Sequence, residues 1–168
     1  MERWRRETLP ALVKNIRAID SNTYLVLEPA PWGLPGSFEN FMPLVGGKLV
    51  YSFHHYMPHS YTHQGIGSYK SPDFTNKIYP GPLRKFGLDH PLIPWDKGEL
   101  EKSMAAATAF AKSNQAIMFV GEFSVLRWAP GGVKWLSDSI ELFETYGWSW
   151  AYHCYRGWNG WNPTFEAG

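Results

Sequence analysis

At 168 residues the chain can bury one sizeable core but is short for two ordinary domains, so a single domain over residues 1–168 is expected. Lys plus Arg number 16 against 15 Asp plus Glu, a balance that gives no bulk charge to favour nucleic acid or an acidic surface. The single cysteine, Cys154, excludes an internal disulfide, and no apolar stretch approaches the length of a membrane span.

The segment Met1 to Glu7 is charged and has no apolar core, so no signal peptide is expected there. Leu9, Leu12, Val13, Ile16 and Ile19 recur at helical spacing and predict an amphipathic helix ending before Asp20-Ser21-Asn22. Pro10 fits its first turn, with Thr8 near the cap, or else it kinks a helix that began earlier. A strand follows near 23–28, ending on Glu28-Pro29. The Pro- and Gly-rich connection over 29–47 has room for a short helix from Ser37 to Phe41.

A second strand is predicted near 49–54, running into His54-His55-Tyr56-Met57-Pro58. Residues 57–94 hold six prolines and four glycines and read as one long loop, which at this length is usually functional or disordered. Its aromatic content argues against disorder. Asp96 and Glu99 have capping-box spacing ahead of a stripe of Leu100, Met104, Ala107 and Ala111. The third strand, near 116–122, is followed by a helix whose stripe would be Val133, Leu136, Ile140 and Phe143. The fourth lies near 147–153.

Helices and strands therefore alternate, which implies an α/β fold of parallel strands joined by crossovers. No Gly-rich phosphate loop follows any strand. Polar residues instead collect where strands end: Glu28, His54 with Tyr56, Glu122 and His153. That distribution suits the mouth of a (β/α) barrel, although a barrel needs eight strands and four are predicted. Helices should cover one face of the sheet, and large apolar side chains should line the other.

Glu122 closes the apolar run Ala116-Ile117-Met118-Phe119-Val120-Gly121. A carboxylate at the carboxyl end of a buried parallel strand points into the mouth where barrel enzymes keep their chemistry. It could equally cap a helix or pair with an Arg. Aromatics make up 17% of the chain, including nine Trp; most belong in a core, and a surplus on the surface suits the C–H faces of sugar rings. His55, His59 and His63 are spaced by four, which would gather three imidazoles only on a helix, and Pro58 breaks one there. A sugar-contacting or loop-packing role is the better account, and neither a metal nor a cofactor is expected.

Four ordered segments resemble the C-terminal half of glycoside hydrolase family 5, the cellulase-type (β/α)8 enzymes. Ile16-Arg17-Ala18-Ile19-Asp20 leading to Leu27-Glu28-Pro29 is similar to helix 4 and strand 5 of that barrel. Tyr51-Ser52-Phe53-His54-His55-Tyr56 is similar to strand 6, Val120-Gly121-Glu122-Phe123 to strand 7, and Gly147-Trp148-Ser149-Trp150-Ala151-Tyr152 to strand 8. The resemblance implies Glu122 as a retaining nucleophile, oriented by Tyr56, with His54 on that Tyr or on a sugar hydroxyl. It implies β-1,4-glucan or mannan as substrate class. The family's acid/base lies in an Asn-Glu-Pro motif of strand 4, which falls before the matched segments. Leu27-Glu28-Pro29 only looks like that motif; Glu28 is then a structural or substrate-loop carboxylate, or one that still faces the mouth. The family often has a sugar-stacking Trp where His153 falls, so Trp150, Trp158 or Trp161 would supply the platform and border the same opening.

A four-stranded half-barrel leaves two open strand edges and a bare interior face. Closure by a second copy, or by a complementing N-terminal half, is therefore expected. An inert carbohydrate-binding or structural half-barrel is the alternative.

Overall fold

The structure is a computed structural model and describes residues 2–164. Four strands form one sheet: β1 (Leu25–Leu27), β2 (Leu49–His55), β5 (Ile117–Phe123) and β6 (Ser149–Tyr152), in the order β1-β2-β5-β6. Every pairing among them is parallel. β1 and β6 are shorter than their sequence patterns suggest, β2 and β5 run one residue further, and all four stand where expected.

The helices are α1 (Leu9–Ile19), α2 (His59–Thr62), α3 (Lys97–Ser103), α4 (Ala105–Asn114) and α5 (Gly132–Thr145). None among the described residues is long and apolar enough to cross a membrane. Pro10 has no N–H to give the preceding turn, and residues Trp4–Thr8 coil with π-type spacing before α1 begins. The helix thus starts before Pro10. Asp96 caps α3 by accepting from the Glu99 backbone N–H at 2.9 Å. Met104 interrupts the expected single helix into α3 and α4 while staying in the core with Leu100 and Ala107.

Helix α5 differs in phase from its predicted stripe. Val133 is 84% exposed, and the buried side carries Trp135, Asp138, Ser139, Leu142 and Phe143. Two polar residues on the buried side hide that face from a hydrophobicity pattern. Asp138 is satisfied there by the Tyr79 hydroxyl at 2.9 Å and by Lys134 Nζ at 2.5 Å.

The 57–94 segment is more ordered than a loop. It contains α2 and an antiparallel hairpin of β3 (Gly81–Arg84) and β4 (Leu92–Trp95), with Pro82 opposite Pro94. Those prolines mask the hairpin in the sequence, because proline reads against a strand. Tyr61, Tyr79, Leu83 and, at its end, Trp95 anchor the segment in the same core as the sheet and helices.

Alternation along the strands separates two faces. Leu27, Tyr51, Phe53, Met118, Val120 and Phe123 are buried towards the helices, where Phe110 of α4 meets Tyr51 and Phe143 of α5 meets Phe123. The opposite face is not uniformly apolar, contrary to expectation. Val26, Val50 and Ile117 lie in register at its amino-terminal end. Above them come Ser52 beside Phe119, then His54 beside Glu122. This inner face is apolar at the bottom and polar at the top.

Candidate active site

Glu122 reaches the inner face through a β-bulge. Phe119 points inward and Val120 is buried against the helices, so strict alternation would turn Gly121 inward and Glu122 outward. The register with β2 shifts here: Phe53 stands opposite Val120, and His54 stands opposite Glu122. Gly121 is the extra residue, and Glu122 is swung back to the inner side. A Cβ at position 121 would lie 2.6 Å from Ser52 Oγ and 3.4 Å from Glu28 Oε1, which is why glycine occupies the bulge.

Five polar side chains are then linked in one chain of contacts. The Tyr56 hydroxyl donates to Glu122 Oε2 at 2.9 Å. His54 Nδ1 lies 3.7 Å from the same oxygen, and His54 Nε2 lies 3.0 Å from Glu28 Oε1. Ser52 Oγ donates to that Glu28 oxygen at 2.9 Å. Glu28 therefore faces the mouth, one imidazole away from Glu122.

The electrostatics follow from these contacts. The hydrogen bond from His54, opposed by partial burial and helped by Ser52, holds the Glu28 carboxyl below its ordinary range. The same bond raises His54 against its burial, and the charges of Glu28 and Glu122 add to it. Burial first, then the Glu122 carboxylate, push the Tyr56 phenol well above its ordinary value. Tyr56 is thus a fixed donor throughout the working pH range.

A cleft of 460 Å³ opens above these side chains and is walled mostly by aromatic rings. Trp161 stacks on Tyr56 with ring centroids 5.6 Å apart, and His63 meets Trp161 edge-on at 5.3 Å. His59 and His63 are stacked at 3.8 Å, and His59 Nδ1 is 3.1 Å from the Tyr69 hydroxyl. Burial lowers His59, and burial with the neighbouring His59 lowers His63 to about 3, so both are neutral at ordinary pH. Trp32, 81% exposed, flanks the cleft from the turn after β1. Trp32 is not among the residues expected from the sequence, although Pro31-Trp32-Gly33, three residues on from the strand-end Glu28, is a signal for it.

Several other residues lie away from the cleft. His55 points to the helices, fully buried and stacked on Trp135 at 5.3 Å, so it has no surface to offer a sugar. Trp150, opposite the outward Val120, also faces outward; its ring meets Phe123 edge-on and its Nε1 donates to Glu144 at 2.7 Å. The tail folds so that Trp158 and His153 each pack against Trp161, at 5.3 and 5.5 Å, and only Trp161 lines the opening. Among the described residues, no group of three or more His, Cys, Asp or Glu could hold a metal ion.

Residues 3–159 match the family model Cellulase (glycosyl hydrolase family 5). The chain belongs to that family. Endoglucanase C of Acetivibrio thermocellus is 29% identical, over 86% of this chain and 46% of that protein, and Endoglucanase C307 of Clostridium sp. (strain F1) matches to the same extent. The chain spans about half the length of these relatives. Among solved structures, Cel5A of Thermotoga maritima in complex with cellobiose superposes with a TM-score of 0.78 at 24% identity, over 96% of this chain and 49% of that one. The cellulose synthase subunit Z of Clostridioides difficile gives 0.72 at 22%, over 93% and 48%. The fold is accordingly half of a family 5 barrel, made of four of its parallel strands.

Proposed function

We propose that this chain carries the nucleophile half of a retaining β-1,4-glycanase site, with glucan- or mannan-type polysaccharide as substrate. The observation that carries this reading is Glu122, turned by the bulge into an aromatic cleft and held there by the Tyr56 hydroxyl. Membership of the cellulase family supports it, as does the naming of its relatives as endoglucanases. The Thermotoga maritima Cel5A structures in complex with cellobiose and with mannotriose support the substrate class.

In this reading one Glu122 oxygen bonds the anomeric carbon as the glycosidic C–O bond breaks. A carboxylic acid protonates the departing oxygen, and water then releases the sugar from Glu122. Tyr56 and His54 both engage Oε2, so the carboxylate is anchored by one oxygen and presents the other. Trp161, Trp32, His59 and His63 offer ring faces to the sugar. The Asn-Glu-Pro acid/base motif of the family does not occur in the sequence. The acid must come from elsewhere, and we propose that a second copy, or a complementing half, closes the barrel against the exposed inner face. The same exposure favours one second reading, a half-barrel that binds carbohydrate without turnover.

An aryl cellobioside assay on wild type and Glu122→Gln, with mass in solution measured by light scattering, tests the proposal. Turnover lost in Glu122→Gln supports it. Turnover unchanged by that substitution overturns it.

A further inference from the structure

We propose that Glu28 is the positioning residue of this site: by binding His54 Nε2 it holds the imidazole crosswise between two carboxylates, with Nδ1 turned on Glu122. The inference rests on the reading of Glu122 as nucleophile for its purpose, but not for its geometry. Glu28 is itself fixed twice. Ser52 Oγ donates to the Oε1 atom that binds His54, and Trp4 Nε1 donates to the Glu28 carbonyl at 3.2 Å.

The contacts of His54 dictate where its protons sit. An ionised Glu28 only accepts, so the 3.0 Å contact requires a proton on His54 Nε2. A neutral imidazole with that proton would present its Nδ1 lone pair to Glu122 Oε2 at 3.7 Å, which is repulsive towards a carboxylate. The arrangement is favourable when both ring nitrogens carry protons. His54 is then a cation flanked by two anions, with its second N–H at ion-pair distance from the Glu122 oxygen that Tyr56 bonds.

The backbone restrains the ring from the other sides. The His54 N–H donates to the Gly33 carbonyl at 2.8 Å, and a Cβ on Gly33 would lie 3.3 Å from the imidazole. The titratable groups around it are Glu28 from the end of β1 and Glu122 from β5, with Tyr56, His59 and His63 along the same cleft; the two histidines are neutral. Glu28 is the nearer carboxylate by 0.7 Å, the difference between 3.7 and 3.0 Å, and the one in hydrogen-bond contact. It therefore fixes the ring even when Glu122 has lost its charge by bonding a sugar. Glu122 alone could not do so.

Nitrogen-15 NMR of the labelled imidazoles in the unliganded protein tests this, with the His54 signal assigned from His54→Gln. Wild-type His54 should titrate above an isolated imidazole, with both nitrogens protonated at neutral pH. Glu28→Gln should shift its midpoint down, and by more than Glu122→Gln does. A midpoint unmoved by Glu28→Gln, or moved further by Glu122→Gln, overturns the proposal. Should Glu28→Gln fail to fold, Glu28→Asp keeps the charge and shortens the reach. The midpoint should then fall part of the way, and no fall overturns the inference. None of these readouts depends on turnover, so turnover unchanged by Glu122→Gln would sink the glycanase reading and leave the His54 result standing.

Discussion

The two faces of the four-stranded sheet are built from neighbouring residues and behave as different materials. Towards the helices, Tyr51, Phe53, Val120 and Phe123 are buried in a continuous aromatic and aliphatic core. On the inner side, Val26 is 56% and Ile117 55% exposed, and the carboxyl ends carry Ser52, His54 and Glu122. Burial on the outer face supplies the stability of the unit. The inner face contributes little to holding it together and is free to carry polar groups. Gly121 is the point at which one chain crosses between these regimes, because its bulge moves Glu122 from the outer set to the inner.

The largest expected effect belongs to the outer face. Phe53→Ala should lower stability by about 3–5 kcal/mol in urea unfolding, since the ring is fully buried edge-on to Trp148 and Phe38. Its inner-face neighbour Ser52 loses only one hydrogen bond on conversion to Ala, about 1 kcal/mol. Equal losses at the two positions would break the comparison.

Acid should expose the same asymmetry. Complete burial against Trp135 lowers His55 from 6.5 to about 3. The unfolded chain therefore binds a proton that the folded one refuses, and stability falls as pH drops below 6.5. By pH 4.5 this amounts to about 2–3 kcal/mol, which His55→Phe should abolish while keeping the stack. On the inner face His54 acts oppositely, while Glu28 acts in the same sense as His55 but at lower pH. His54 is raised, so its contribution is full below 6.5 and fades as pH rises through its folded value. Glu28 is lowered, so its contribution is full above 4.5 and fades only in stronger acid. Urea titrations of wild type, His55→Phe and Glu28→Gln between pH 4.5 and 8 separate the two faces.

The bulge is the next test. Gly121→Ala places a methyl 2.6 Å from Ser52 Oγ and should cost about 1–3 kcal/mol, with part restored by adding Ser52→Ala. Additive losses in the double variant would mean that the clash is not what reserves the position for glycine.

Much of this architecture was legible in the sequence, and its gaps have physical causes. The four strands and the Asp96 cap follow from apolar runs and capping spacing, and the meeting of Glu122 with Tyr56 from the resemblance to family 5. The bulge was hidden, since nothing in Val120-Gly121-Glu122 distinguishes a glycine of alternation from one that breaks it. Trp150 and His55 were misplaced for the related reason that a residue's face depends on register, and register is set by the partner strand. The α5 stripe failed because Asp138 is a buried carboxylate satisfied from 59 residues away, by Tyr79. The His54 bridge required Glu28 and Glu122 to be brought together across 94 residues, as their numbering shows.

The smallest expected effect is the most informative about assembly. Ile117→Lys and Val26→Lys alter side chains already more than half in water, so each should change the stability of the single chain by less than about 0.5 kcal/mol. In a closed eight-stranded ring the same positions would face the interior, where an unpaired ammonium group is strongly disfavoured. If a second copy closes the barrel, wild type should scatter as twice 19.2 kDa, and either Lys variant should return it to one chain with its unfolding curve almost unchanged. A wild-type monomer would rule out closure by self-association. A dimer indifferent to both substitutions would move the interface elsewhere, leaving the inner face open even when two chains meet.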